Sequence, residues 1–144
     1  MIDKGATTLW EHWEGSDDIY SNCHPMFGSV SAWFYRYLGG IQPNDNYPGF
    51  KKFIIAPTAP TDLSHVNCEY NSPFGKIISN WKKKADGTII FNIEIPKGTS
   101  AEINLPMKEL SKITLINQST NQPIKQLINH FILNAGTFEI YLSK

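Results

Sequence analysis

The chain is poor in cysteine, carries no net charge and lacks a long apolar run, and each shortage removes a class of protein. Two cysteines in 144 residues, Cys23 and Cys68, are too few for a disulfide scaffold. His65 stands three residues before Cys68, but no second ligand pair at zinc-site spacing completes a set, so neither a metal nor another cofactor is expected. Cys23 beside His24 does not read as a thiol nucleophile, because such pairs meet in space and rarely as sequence neighbours. The 13 basic and 13 acidic residues cancel, which argues against nucleic acid or an anionic membrane as partner. No apolar run is long enough to span a bilayer, and no secretory signal is expected ahead of Gly5. Internal repeats and low-complexity segments are missing too. What remains is a folded globular composition, 41% apolar and 18% charged, long enough for one domain with a core, or for one domain and a piece of another.

The first forty residues differ in kind from the last hundred. Pro25 suits a first helical turn, with Asn22 nearby as a cap. Met26, Phe27, Val30, Phe34, Tyr37 and Leu38 then fall at helical spacing, Trp33 widens the stripe, and Arg36 complements the C-terminal dipole. Gly39-Gly40 stops the run. This predicts one amphipathic helix of about four turns. "IQPNDNYPGF" (41–50) reads as a linker. Beyond it the period changes to two. Eight short runs follow: "KFIIAP", "LSHVNCEYN", "GKIISNWKK", "TIIFNIEIP", "SAEINLP", "KITLIN", "LINHFILN" and "TFEIYLS". Turn signals separate them, among them "SPFG" and Asp86-Gly87, and Lys82-Lys83-Lys84 reads as a solvated hairpin end. The expected fold is mainly β, an antiparallel β-sandwich of about eight strands preceded by one helix. That helix shows more aromatic surface than one sandwich face covers, which predicts self-association through it and the Trp10–Trp13 leader.

The leader "GATTLWEHWEG" crowds Trp10, Glu11, Trp13 and Glu14 together, with His24 farther on. Flat rings stack on the C–H faces of a pyranose, while carboxylates bind hydroxyls and do acid–base work, so the composition suits a sugar site. The same residues also fit a plainer reading, with the tryptophans as core anchors and the acids solvated. His65 and His130 read as structural or surface residues, and Trp81 as a core or edge residue of the sandwich.

The ordered series "GATTLWEHWEG", "SNCHPMFGSVSAWFYRYLGGI" and "PGFKKFIIAP" resembles glycoside hydrolase family 78, the bacterial α-L-rhamnosidases. "SPFGKIISNW" is similar to the signature of that family's C-terminal β-domain. The resemblance implies that residues 1–42 end an (α/α)6 catalytic barrel and residues 43–144 form the β-sandwich that follows it. It implies hydrolysis of terminal α-L-rhamnosides with inversion, on a rhamnose-containing glycan or glycoside. By the same resemblance, the general base is Glu11, His24 contacts rhamnose, and Trp10 and Trp13 wall or support the site. Glu14 is the rival base. Cys23 stands where the family more commonly has Asn. The family's general acid lies earlier in the barrel, and no stretch here is a candidate for it. The alternative from a different class is a non-catalytic carbohydrate-binding or accessory β-sandwich module.

Overall fold

A computed structural model describes residues 1–13, 20–106, 112–126 and 129–143. They divide into two compact units, Met1–Phe34 and Tyr35–Lys144.

The helical region is real but is not one amphipathic α-helix. Pro25–Gly28 is a 3-10 turn, Ser29–Trp33 (α1) is α-helical, and Phe34–Leu38 is wound as a π-helix. No residue along these three pieces is buried. Helices in proteins owe most of their stability to packing of an apolar face, and the aromatic run Trp33–Tyr35 has modest intrinsic helix propensity. With no buried face to hold a single pitch, the winding changes along the segment.

The second unit is built from nine strands: β1 (Ile41–Pro43), β2 (Lys52–Ile55), β3 (His65–Val66), β4 (Glu69–Ser72), β5 (Gly75–Lys83), β6 (Ile89–Asn104), β7 (Lys112–Asn117), β8 (Gln122–Gln126) and β9 (His130–Ser143). They form one sheet, ordered β1-β2-β6-β9-β7-β8, with β5 also on β6 and with β3 and β4 on β5. The sheet is mixed: β2 runs parallel to β6, Lys52 opposite Ser100 through Ile55 opposite Ile103. This corrects the expectation of a purely antiparallel sandwich of eight strands. β1 lies inside the expected linker. "TIIFNIEIP" and "SAEINLP" are one bent strand, β6. "TFEIYLS" and most of "LINHFILN" form another, β9.

The bend sits where β6 advances from Ile95 to Ser100 while β9 covers only Asn134 to Gly136. Pro96 cannot donate to the ladder, Gly98 takes φ 78°, and Thr99 Oγ1 donates to Pro96 O at 2.7 Å. Five steps against two leaves an odd surplus, so the inward face of β9 changes phase. Phe131 and Leu133 are buried before the bend, and Phe138, Ile140 and Leu142 after it. On β6 the inward set stays odd-numbered, with Phe91, Ile93, Ile95, Ala101 and Ile103 buried. Both wings of the curled sheet thereby face one core, joined by Phe53 and Ile55 of β2, Ile77 and Trp81 of β5, and Ile113 and Leu115 of β7. Each such side chain contributes about 1.5–3 kcal/mol on burial.

Two hairpins follow their turn residues. Between β5 and β6, Thr88 N–H donates to Asp86 Oδ1 at 2.9 Å, Lys84 N–H to Thr88 O at 2.8 Å, and Gly87 takes φ 83°. The Thr88 hydrogen bonds hold the Asp86 carboxyl below its usual range. Between β4 and β5, Ser72 Oγ donates to Gly75 O at 2.7 Å around Pro73-Phe74.

Three successive carbonyls tie the chain after the helical region to the sheet. Trp81 Nε1 donates to Leu38 O at 2.8 Å, Ser79 Oγ to Gly39 O at 2.5 Å, and Ala56 N–H to Gly40 O at 2.9 Å. Trp81 is a core residue, as one of its expected roles. A Cβ on Gly39 would lie 2.2 Å from Cys68 Sγ, and one on Gly40 2.2 Å from Pro57 N. Burial pushes the Cys68 thiol pKa up.

Gly40 and Gly98 share nearly the same backbone angle, φ 76° and 78°, but only Gly40 is crowded. Gly98→Ala is expected to cost about 1–2 kcal/mol, the left-handed penalty alone. Gly40→Ala must also displace the Ala56–Pro57 backbone and is expected to cost clearly more. Urea unfolding midpoints of the two variants check this; equal losses would mean that the close approach carries no weight.

Candidate functional site

The candidate residues lie in the first unit, on two stretches that pair across the chain. Glu11 N–H donates to Ser21 O at 2.8 Å and His24 N–H to Leu9 O at 2.6 Å. Thr8 Oγ1 donates to Asn22 O. Upstream, a 3-10 turn at Ile2–Lys4 closes on Gly5 at φ 79°, and Trp10 N–H reaches Met1 Sδ at 3.4 Å. These bonds bring Glu11 and His24 together although twelve residues separate them.

Glu11 is held from both ends. Its backbone binds Ser21, and its Oε2 accepts Ser21 N–H at 2.9 Å. Ser21 is itself fixed, its Oγ donating to Cys23 O at 2.8 Å and accepting Cys23 N–H at 3.1 Å. His24 precedes the Pro25 turn, where Phe27 N–H bonds its carbonyl at 3.3 Å, and its ring packs on Phe27 with centroids 4.7 Å apart. The His24 Nδ1 to Glu11 Oε2 distance is 3.9 Å, too long for a hydrogen bond. A protonated imidazole there would attract the carboxylate; a neutral one can donate to or accept from a hydroxyl. The Ser21 amide and the His24 ring thus both lie on the Oε2 side of the Glu11 carboxylate.

The sequence reading placed four residues in this site, and the structure draws together two of them. Trp13 is 77% exposed and Trp10 half-buried. Among the described residues, no ring stacking or hydrogen bond joins either tryptophan to Glu11 or His24. Glu14, the rival base, lies outside the described residues. Ser21 and Phe27 were missed. The Ser21 contact depends on chain pairing across a loop and the Phe27 contact on the turn at Pro25, and nothing in "YSNCH" or "PMFG" advertises them. His12 stacks on Tyr20, centroids 5.0 Å apart, beside the same pairing. Elsewhere, His65 and His130 are exposed, and His130 Nδ1 meets Asn104 Oδ1 at 2.5 Å. Among the described residues no group of three or more His, Cys, Asp or Glu side chains could hold a metal.

Comparison with known proteins matches the chain in two parts. Residues 40–119 match the family model of the bacterial alpha-L-rhamnosidase C-terminal domain, and residues 1–38 match that of the bacterial alpha-L-rhamnosidase 6 hairpin glycosidase domain. An alpha-L-rhamnosidase of Alteromonas sp. (strain LOR) is 33% identical over 98% of this chain and 15% of its own length. The solved structure of alpha-L-rhamnosidase from Dictyoglumus thermophilum superposes with a TM-score of 0.75 at 30% identity, covering 100% of this chain and 17% of that one. The Streptomyces avermitilis alpha-L-rhamnosidase, solved in complex with L-rhamnose, shares the fold with a TM-score of 0.69 at 22% identity, over 99% of this chain and 14% of that one. The chain thus spans about one sixth of the length of the curated relatives it matches, 15% or 16% in the three that cover nearly all of it. The match over most of the β-rich unit settles the family: this chain belongs to the bacterial α-L-rhamnosidases.

Proposed function

We propose that this chain supplies the general base and part of the sugar subsite of an inverting α-L-rhamnosidase acting on a rhamnose-containing glycan or glycoside. On this reading residues 1–42 close the helical catalytic barrel and residues 43–144 are the C-terminal β-domain. The observation that carries the proposal is the meeting of Glu11 and His24, 3.9 Å apart, inside the stretch similar to the 6 hairpin glycosidase domain. Inversion uses two carboxyls about 6.5–9.5 Å apart, with a water seated between one of them and the sugar. Glu11 is the one that takes the water proton, through Oε1, while the Ser21 amide keeps the carboxylate from turning away. His24 bonds a rhamnose hydroxyl, and Trp10 and Trp13 wall or support the sugar. The general acid comes from outside this stretch. The accessory-module alternative gains no support from Trp81, since a ring 1% exposed offers no stacking face.

Three outcomes follow. The 144-residue chain alone is expected to leave an aryl α-L-rhamnoside unhydrolysed, since a base cannot protonate the leaving oxygen and general acid–base help is worth about 10²–10⁴-fold. Turnover that vanishes in Glu11→Gln would show the site to be complete as it stands.

In the full-length enzyme, Glu11→Ala is expected to lower kcat by about 10²–10⁴-fold with little change in KM, because the lost interaction matters in the transition state. Glu14→Ala is expected to do much less. Azide partly restores Glu11→Ala by replacing the activated water and yields the β-rhamnosyl azide. Loss of kcat in Glu14→Ala with Glu11→Ala near normal would move the base to Glu14.

Met26, Phe27, Val30, Trp33 and Phe34 are all exposed, and such a surface is rarely left uncovered in a monomer. Sedimentation of this chain is therefore expected to show association that rises with concentration and weakens in Val30→Glu. A clean monomer at high concentration would remove self-association from the reading.

A further inference from the structure

The outward face of β3, β5 and β6 carries a cleft of about 470 Å³, lined by Ser64, His65, Asn67, Asn80, Lys82 and Asn92 among others. It lies wholly in the β-rich unit and shares no residue with the Glu11 site. Its composition departs from what a strand surface prefers. Asn is depleted in strands, yet Asn80 and Asn92 face each other in register at the centre of the β5–β6 pair. In the next outward row, His65 of β3 is the partner of Lys82. Asn80 has one structural duty: its Oδ1 accepts Cys68 N–H at 2.8 Å. That bond fixes the carboxamide and leaves its NH2 as the donor. Ser64 Oγ stands 3.0 Å from His65 Nδ1, which holds the imidazole and leaves Nε2 for a ligand. Among the described residues no such bond engages the Asn92 side chain.

Charge is distributed unevenly along the cleft. The lining holds Lys82, Lys83 and His65 and no carboxylate. Lys83 Nζ is engaged by Pro60 O; Lys82, also in the lining, has no such acceptor among the described residues. The nearest register acid is Glu139 of β9, opposite Asn92 and on the side away from Lys82. Its carboxylate accepts Tyr141 O–H at 2.8 Å. The cleft therefore has a cationic end and a carboxamide middle, with Glu139 opposite Asn92 and Glu94 two residues farther along the same face of β6. Carboxamides both donate and accept, as vicinal hydroxyls require. A volume of this size falls in the range of small-ligand sites.

We propose that this cleft binds a uronate residue of an acidic glycan, with the carboxylate at Lys82 and His65 and the ring hydroxyls over Asn67, Asn80 and Asn92. The choice of a saccharide rests on the glycosidase reading; the charge and the polarity of the cleft are independent of it. The site would hold a polymeric substrate at the β-domain while chemistry proceeds elsewhere.

The test is titration of the 15N-labelled chain with trigalacturonate, its methyl ester and inorganic phosphate, each followed by amide shifts. Trigalacturonate is expected to shift residues 64–67, 80–83 and 92 and to saturate. The methyl ester should bind at least about fivefold more weakly, since it loses the charge-assisted bonds. Lys82→Gln should weaken trigalacturonate by a similar factor, and Asn92→Asp should abolish it by adding an acid; unchanged core shifts show that both variants fold. No saturable shift, equal binding of acid and ester, or phosphate shifting the same residues as strongly would each overturn the proposal. These readouts involve no turnover. Failure here leaves the Glu11 assignment standing, and failure of Glu11→Ala to lower kcat leaves this binding result standing.

Discussion

β6 and β9 run past each other on both sides of the bend at Ile95–Ser100, and the rest of the β-rich unit hangs on that shared pair. β6 offers one edge to β9 throughout. It gives the other edge to β5 before the bend and to β2 after it. Without the bend, one long flat sheet would leave the inward faces of the two wings with nothing to cover them. With it, they enclose Phe53, Trp81, Phe91, Ile103 and Ile140 in one core. The surplus residues on β6 also explain why β9 changes its inward phase. Otherwise Phe138 and Ile140 would face outward opposite a buried Ile93 and Phe91.

The core in turn fixes the chain between the helical region and β1. Trp81 sits in the core with its indole N–H on Leu38 O, Ser79 binds Gly39 O, and Gly40 fits against Ala56–Pro57 because it has no Cβ. A buried Trp needs a partner for its N–H, and here a backbone carbonyl provides it. The same residues that stabilise the sheet therefore position the first turn of chain that enters it.

The Glu11–His24 pairing uses a different kind of restraint. It rests on backbone and side-chain hydrogen bonds between exposed or half-exposed stretches, with no buried residue in the helical pieces beyond it. Such contacts are individually worth about 0.5–1.5 kcal/mol. The bond from Ser21 N–H to Glu11 Oε2 restrains the direction of a carboxylate that stays partly exposed.

Local chemistry was legible in the sequence. Period-two patterning marked β5 and β7 to the residue, Asp86-Gly87 and "SPFG" marked the hairpins, and Trp81 read as a core or edge residue. The ordered stretches around Trp10, Glu11 and His24 carried the family resemblance. Periodicity reports which face of a segment is apolar within a few residues. It does not report which strands continue through a bend, so "TIIFNIEIP" and "SAEINLP" read as two elements. Nor does it report pairing direction, which depends on where the chain returns after β3, β4 and β5; the parallel β2–β6 contact was therefore invisible. The helical stripe at Met26–Leu38 was visible, but its pitch was not, because pitch is set by what a helix packs against. Glu11 and His24 were each named as candidates through the family resemblance of the stretches that hold them. Their separation of 3.9 Å, with Ser21 and Phe27 holding them, was decided only when two stretches ten residues apart paired through their backbones.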